Sequence, residues 1–170
     1  ALAKRLSKET RNTIVLAPSA PHLALLAVKN KSKVKFAAQD VSATTGGAKT
    51  GEMSAQILSD LDIAYAIIGH SERRAMGETD SVIAEKMRHA LAHGIVPILC
   101  VGEHERDAGA EYLAVVRNQI ASALESLSQK ERMAVVIAYE PVWAIGKTAA
   151  DALPSHDLAE MVLYIRKVLG

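Results

Sequence analysis

Aromatic residues and cysteines are scarce in this sequence, and neither sign of charge is in excess. The 170 residues include one Trp, one Phe, four Tyr and a single Cys, and the formal net charge is +1. A nearly neutral chain with few aromatic rings lacks the basic, stacking surface typical of nucleic-acid-binding proteins, so we predict no nucleic-acid partner. One Cys excludes an intramolecular disulfide framework and is typical of a reducing compartment, which predicts a cytoplasmic protein.

The sequence also lacks membrane, secretion and metal signals. No apolar run approaches the length of a membrane span, and no signal peptide opens the chain, so we predict no membrane partner. No His, Cys and Asp residues have the spacing of metal ligands, and we predict neither a metal nor another cofactor. Cys100 lies in an apolar run without a neighbouring His or Asp. It is expected to be a small core residue rather than a nucleophile.

Apolar, β-branched runs alternate with helical patterns along the whole chain. Such alternation predicts an α/β fold with a parallel sheet and one domain over residues 1–170. Strands are predicted over 13–17, 34–38, 63–68, 95–101 and 133–139, with helices near 20–29, 52–61, 80–94, 108–127 and 155–170. Pro97 inside the fourth run is typical of an edge strand or a bulge, which conflicts locally with a central position for this strand. The charged run over 103–107 is predicted to be a solvated loop.

Glu140 follows the last apolar run, in the string Ala-Tyr-Glu-Pro-Val-Trp-Ala-Ile-Gly over 138–146. A carboxylate where a parallel strand ends, with an apolar wall after it, is placed for proton abstraction. Pro141 stiffens the exit from the strand, and Gly146 can bring its backbone N–H close to an anion. The alternative is a solvated Glu before a turn.

His70 also follows an apolar run, in the string Ile-Ile-Gly-His-Ser-Glu-Arg-Arg over 67–74. The polar residues after it predict the start of a helix, whose N-terminus disfavours an imidazolium ring. A neutral imidazole can hydrogen-bond a substrate oxygen and relay protons. The alternative is a hydrogen-bonded structural histidine.

Taken together, these two strings resemble the signatures of the triosephosphate isomerase family. Three further segments resemble that family in the same order: 39–42 with 50–52, 77–80, and 98–103. The resemblance implies a (β/α)8 TIM barrel. This chain corresponds to strands two to six, an incomplete barrel of about five β/α units.

The resemblance also implies chemistry, namely the interconversion of dihydroxyacetone phosphate and glyceraldehyde 3-phosphate through an enediol. Glu140 would be the base and His70 the neutral group that polarises the oxygens, the pairing for which this family is known. Glu72 would support them in the catalytic site, while Ser71 and Gly146 would contact the substrate. Ser71 and Glu72 have an alternative interpretation as residues that cap the helix start.

A homodimer is implied by the long Thr/Gly-rich loop over 41–50 and by three residues near it. Thr50, Glu52 and Arg73 resemble positions at the family's subunit contact. The alternative for these residues is ordinary surface charge. Loops of this length without secondary structure are uncommon and usually have a function, which favours the subunit interface.

Two departures from the family bear on activity. The sequence contains no Asn-x-Lys element and no Gly-rich phosphate loop of the family's type, and the lid lacks the usual Thr-Gly between Gly146 and Lys147. Lys147 is either a lid residue or a solvated loop Lys. We therefore expect no isomerase activity from the 170-residue chain alone. The alternative functions are a catalytically inactive TIM-barrel module with a structural or assembly role and another phosphate-handling barrel enzyme.

Overall fold

Five parallel strands form one sheet in the order of the sequence. The computed structural model describes residues 6, 8, 11–44, 49–146 and 153–170. The strands are β1 (Val15–Leu16), β2 (Lys35–Ala38), β3 (Tyr65–Ile68), β4 (Val96–Val101) and β5 (Val136–Tyr139). Each strand pairs with its sequence neighbour and is separated from it by helix, which is the winding of a (β/α) barrel. The predicted incomplete barrel with a parallel sheet is confirmed.

Helices occupy the connections between the strands. They are α1 (Ala20–Val28), α2 (Ala55–Asp60), α3 (Ser71–Ala75), α4 (Asp80–Ala92), α5 (Glu111–Leu124), α6 (Gln129–Arg132) and α7 (Ser155–Leu169), with a 3-10 helix at Val142–Ala144. Thr79 caps α4 through a side-chain bond from the Val82 N–H, and Ser54 caps α2 in the same way. These hydroxyls satisfy backbone donors that have no partner inside the helix.

Two elements begin later in the sequence than predicted, because capping hydrogen bonds fix where they start. The strand expected over 133–139 begins at Val136, because Ser128 and Glu131 form a capping box that winds the preceding residues into α6. The helix expected over 108–127 begins at Glu111, where the Asp107 carboxylate accepts the N–H groups of Glu111 and Tyr112.

Pro97 lies in an interior strand, so the conflict between this proline and a central strand is resolved in favour of the central strand. β4 pairs with β3 on one side and with β5 on the other. The ladder with β5 begins at Ile98, opposite Val136, one residue after the proline. The missing N–H of Pro97 therefore precedes that ladder and interrupts no bond in it.

The core lies between the sheet and helices α4 and α5. Ile68, Ile83, Met87, Leu99 and Ile120 are all at most 1% exposed there. Burial of a side chain of this kind stabilises a fold by roughly 1.5–3 kcal/mol. Within the described part of the chain, no helix is long and apolar enough to cross a membrane.

Candidate active site

The exits of β3 and β5 bring His70 and Glu140 into contact. His70 Nε2 lies 3.2 Å from Glu140 Oε2, and the side chains are 32% and 19% exposed. Gly69 turns the chain between β3 and His70 with φ of +75°, and a Cβ on it would lie 3.3 Å from the Cys100 carbonyl oxygen. Glycine is therefore needed at this turn. The contact joins the two residues that the sequence singles out, and we call them the His–Glu pair.

The backbone at the start of α3 orients the imidazole. His70 is itself the N-cap of α3, and its Nδ1 accepts the N–H of Glu72 at 3.2 Å. Since Nδ1 is an acceptor here, the proton of a neutral ring belongs on Nε2, which faces Glu140. The Glu72 side chain is 82% exposed, and its Oε2 lies 3.8 Å from Nδ1. Glu72 thus contacts the pair chiefly through its backbone.

A second backbone N–H holds the carboxylate of the pair. Ser71 donates its N–H to Glu140 Oε1 at 2.7 Å. Ser71 is the first residue of α3 and is buried, while the capping side chain is that of His70. The interpretation of Ser71 as the cap is therefore wrong. An ionised acceptor makes this bond a strong one, and it leaves Oε2 directed at the imidazole.

The strand between the two exits contributes a thiol. Cys100 lies on β4 and is buried. Burial, with the nearby charge of Glu140, raises the pKa of the Cys100 thiol to about 12. A thiol that stays protonated at neutral pH is a poor nucleophile, which supports the predicted core role.

A buried carboxylate, Glu103, joins the exits of β4 and β5. It is 1% exposed and accepts bonds from the Tyr139 hydroxyl at 2.8 Å and from Trp143 Nε1 at 2.9 Å. Arg106 Nε lies 3.3 Å from the same carboxylate. We call these four residues the Glu103 network. The prediction of a solvated loop over 103–107 is wrong at Glu103, because donors from three residues replace water around its charge.

The Glu103 network extends to α7. Arg106 Nη1 lies 3.0 Å from Asp157 Oδ2, and its guanidinium lies 5.0 Å and 5.6 Å from the ring centroids of Tyr112 and Trp143. Burial, together with the bond to Glu103, raises the pKa of Tyr139, although the bond to Arg106 opposes this. Glu103, Tyr139 and Trp143 lie in strings that resemble the family, but the sequence gives no signal for Arg106 or for the contacts among the four.

Four further charged residues lie beside the His–Glu pair and neutralise one another. Lys86 Nζ pairs with Asp40 Oδ1 at 2.6 Å and with Glu78, while Arg73 Nη2 lies 2.9 Å from Asp40 and 2.6 Å from Glu78. We call Asp40, Arg73, Glu78 and Lys86 the ionic cluster. Burial alone would lower the pKa of Arg73, but the Glu78 bond and the charges of Asp40, Glu78 and Glu52 raise it. Sequence reasoning missed Lys86, because charge at one position of an amphipathic helix ordinarily indicates exposure.

An open pocket of about 440 Å³ brings His70 close to two of the predicted interface residues, Glu52 and Arg73. Glu140 and Thr50 do not line it. Thr50 and Glu52 are exposed. Residues 45–48 of the predicted docking loop lie outside the described residues.

Of the predicted substrate and lid residues at the end of this segment, Gly146 is the last one that the structure describes. Gly146 is exposed and has φ of +74°, a left-handed turn that favours glycine. Lys147 lies outside the described residues. Among the residues that are described, no group of His, Cys, Asp and Glu could hold a metal ion.

The chain is similar to known proteins over most of its length. A family model described as triosephosphate isomerase matches residues 1–170. Triosephosphate isomerase of Ralstonia nicotianae is 50% identical over 149 residues, covering 84% of this chain and 60% of the relative. The Thermus thermophilus protein of the same name is 46% identical over 171 residues, covering 98% and 67%. The Cupriavidus taiwanensis protein is 49% identical, covering 83% and 59%. The chain thus spans about three-fifths to two-thirds of these relatives' length.

Proposed function

The chain belongs to the triosephosphate isomerase family, and we propose that the protein carrying it interconverts dihydroxyacetone phosphate and glyceraldehyde 3-phosphate. The observation that carries this proposal is the 3.2 Å contact between His70 Nε2 and Glu140 Oε2 at the mouth of the sheet. A carboxylate base and a neutral hydrogen-bond donor are the two groups that proton transfer next to a carbonyl requires.

In the proposed reaction, Glu140 removes a proton from the carbon next to the substrate carbonyl. The electron pair moves to the carbonyl oxygen, where the proton on His70 Nε2 stabilises the developing charge and gives an enediol. The imidazole then takes the proton from the neighbouring hydroxyl, and protonated Glu140 returns its proton to the other carbon. The net result is an aldose from a ketose with no gain or loss of atoms. Because the pair is in direct contact, substrate binding must separate Nε2 from Oε2.

We place the substrate phosphate near Gly146 and the reacting carbons near Ser71. Gly146 is exposed in a left-handed turn, and no atom lies within 4 Å of a Cβ built on it, so a phosphate could approach its backbone N–H. Ser71 already presents an N–H at 2.7 Å from Glu140. Glu72 supports the site by fixing Nδ1 of His70.

A coupled isomerase assay tests the proposal. The natural protein that contains this sequence should turn over both triose phosphates, and Glu140→Gln should abolish most of that rate. Glu85→Gln, an exposed substitution on α4, is the matched control. No turnover by the parent protein, or normal turnover by Glu140→Gln, would contradict the proposal.

We further propose a cytoplasmic homodimer in which Thr50, Glu52 and Arg73 contact the partner subunit. The exposure of Thr50 and Glu52 beside the open pocket supports this arrangement. The buried, unpaired Cys100 thiol fits a reducing compartment. Sedimentation of the parent protein and of a Thr50→Arg variant tests the contact: a dimer that becomes a monomer supports it, and a dimer unaffected by the substitution does not.

The second candidate is an inactive module with an assembly role. The observation in its favour is the apolar surface at the start of β5, where Met133 is 83% exposed and Val136 45%. Large exposed apolar side chains near a sheet edge favour association. This candidate predicts assemblies that Val136→Lys disperses, together with no turnover.

A further inference from the structure

Gln119 makes an unusual pair of bonds to a single residue at the end of β4. Its Oε1 accepts the N–H of Gly102 at 2.9 Å, and its Nε2 donates to the carbonyl oxygen of Gly102 at 3.1 Å. Gln119 lies on α5 and is 9% exposed, so these bonds are sheltered from water. One side-chain amide thus satisfies both backbone groups of a residue seventeen positions earlier in the chain.

Gly102 in turn touches the backbone of Glu140. A Cβ built on Gly102 would lie 2.0 Å from the Glu140 carbonyl oxygen, 2.6 Å from its carbonyl carbon and 3.2 Å from Pro141 N. These distances are too short for any side chain, and the contact is between two backbones. The position of Gly102 therefore limits where the Glu140 peptide can lie.

Backbone hydrogen bonds on either side of this contact join residues 101–103 to residues 140–142, so that residues 101–103 act as a template for the chain around Glu140. The Glu140 N–H donates to the Val101 carbonyl at 2.9 Å, and the Val142 N–H donates to the Glu103 carbonyl at 2.9 Å. Residues 101–103 thus form the surface on which residues 140–142 rest. The middle of that surface is a glycine, the residue with the greatest backbone freedom, and Gln119 holds it from behind.

We propose that Gln119 is a positioning residue for Glu140, acting through Gly102. The inference rests on the proposed function, since it assigns Gln119 a part in placing the base. Without the Gln119 amide, the buried N–H and the buried carbonyl of Gly102 lose their hydrogen-bond partners. Residues 101–103 then shift so that these two groups can find other partners. A displacement of about 1 Å at a reacting group costs about 10²-fold in rate. Gln119 touches neither member of the His–Glu pair, so its effect passes through the backbone.

Gln119→Met tests the proposal, because it keeps the length of the side chain and removes both bonds. We expect kcat to fall by about 10- to 100-fold with KM changed by less than about twofold, since the base is displaced while substrate contacts remain. Gln119→Glu retains an acceptor for the Gly102 N–H and should be intermediate. The control is Val116→Ala on the same helix, which is fully buried and should lower stability without lowering kcat.

A double substitution separates positioning from general damage. If Gln119 acts by placing the base, adding Gln119→Met to Glu140→Gln should lower the residual rate by less than about twofold, because no base is left to misplace. A further loss as large as in the parent background would overturn the proposal. So would a kcat of Gln119→Met equal to that of Val116→Ala when both are folded.

Amide exchange of Gly102 and the ¹⁵N shift of His70 Nε2 report the same geometry without turnover. Gln119→Met should speed exchange at Gly102 and move the His70 signal, whereas Val116→Ala should leave the His70 signal in place. An unmoved His70 signal in Gln119→Met would overturn the positioning role. If the parent protein lacks isomerase activity, the proposed function fails, and this measurement still decides whether Gln119 positions Glu140.

Discussion

The His–Glu pair and the ionic cluster lie along the same edge of the sheet but balance their charges differently. In the pair, a carboxylate faces an imidazole that need not be charged, and backbone N–H groups hold both side chains. In the ionic cluster, two cations meet two carboxylates, with Lys86 and Glu78 only 3% and 9% exposed. The charges of the cluster cancel, and Lys86 and Glu78 are buried, whereas Arg73 and Asp40 are 36% and 24% exposed, much like the pair. In the pair, the backbone bonds leave Nε2 and Oε2 facing each other.

This difference predicts which substitutions lower activity and which lower stability. Removing one partner of a buried, mutually neutralised group leaves an uncompensated charge and destabilises the fold. Removing one member of the partly exposed pair leaves groups that water and backbone donors can still satisfy. Substitutions in the pair should therefore lower activity, and substitutions in the ionic cluster should lower stability.

The largest effect is expected for Glu140→Gln. The amide keeps the shape of the side chain but cannot take a proton, so kcat should fall by about 10²–10⁴-fold. The melting temperature should stay close to that of the parent protein. Steady-state kinetics and calorimetry on the same preparation check this, with Glu85→Gln as the control. A large loss of stability would assign Glu140 to the structure rather than to the reaction.

Lys86→Met should have the opposite outcome to Glu140→Gln, with lower stability and little change in kcat. It leaves Arg73 as the one cation of the cluster facing the Asp40 and Glu78 carboxylates. One negative charge is then in excess at a buried position, which should cost up to about 3–5 kcal/mol of the free energy of unfolding. Urea denaturation measures the loss, and kcat at a temperature where the variant is folded should remain near the parent value. Lys130→Met, at an exposed position on α6, is the control. Equal stability of the two variants would show that the ionic cluster contributes little.

His70→Gln should have a smaller effect than loss of the base. Glutamine still donates a hydrogen bond to a substrate oxygen but cannot relay a proton, so kcat should fall by about 10- to 100-fold. Isotope exchange between substrate and solvent should change pattern, because proton movement between the two oxygens is impaired. A normal rate with an unchanged exchange pattern would make His70 a structural residue.

The sequence singled out the pair because each member follows a buried strand and lies in a string that resembles a signature of the family. In a parallel sheet the strand exits share one edge, so apolar runs ending at Ile68 and Tyr139 are enough to bring His70 and Glu140 near each other. The winding of the fold was equally accessible, since the strands pair in sequence order.

The supporting residues could not be found in the same way. Lys86, Glu103 and Gln119 are polar side chains whose burial depends on partners distant in sequence: Asp40, Trp143 and Gly102. Composition and periodicity assign such residues to solvent, because most are exposed. Strand and helix limits were inaccurate for a related reason, since caps such as the one at Ser128 decide where an element begins.

The smallest effect is expected in the acid stability of the ionic cluster. Burial alone would raise the pKa of Glu78, but bonds and charges from Lys86 and Arg73 hold it below the ordinary value of 4.5. As the pH falls, the Glu78 carboxyl therefore becomes protonated at a higher pH in the unfolded chain than in the folded chain. The stabilisation from Glu78 is complete above pH 4.5 and is lost as the pH falls through the lowered pKa.

Glu78→Gln tests this pH dependence by removing the titrating group. The variant should be less stable at neutral pH, and its stability should fall less steeply in acid, by at most about 1.4 kcal/mol per pH unit for one carboxyl. Denaturation curves between neutral pH and the acid limit of folding measure the slope. Lys86→Met should flatten the slope in part, because it removes one of the two cations that lower the pKa of Glu78. Parallel slopes for parent and both variants would mean that Glu78 binds its proton equally in the folded and unfolded chain, and the ionic cluster would then add nothing to stability through this carboxyl.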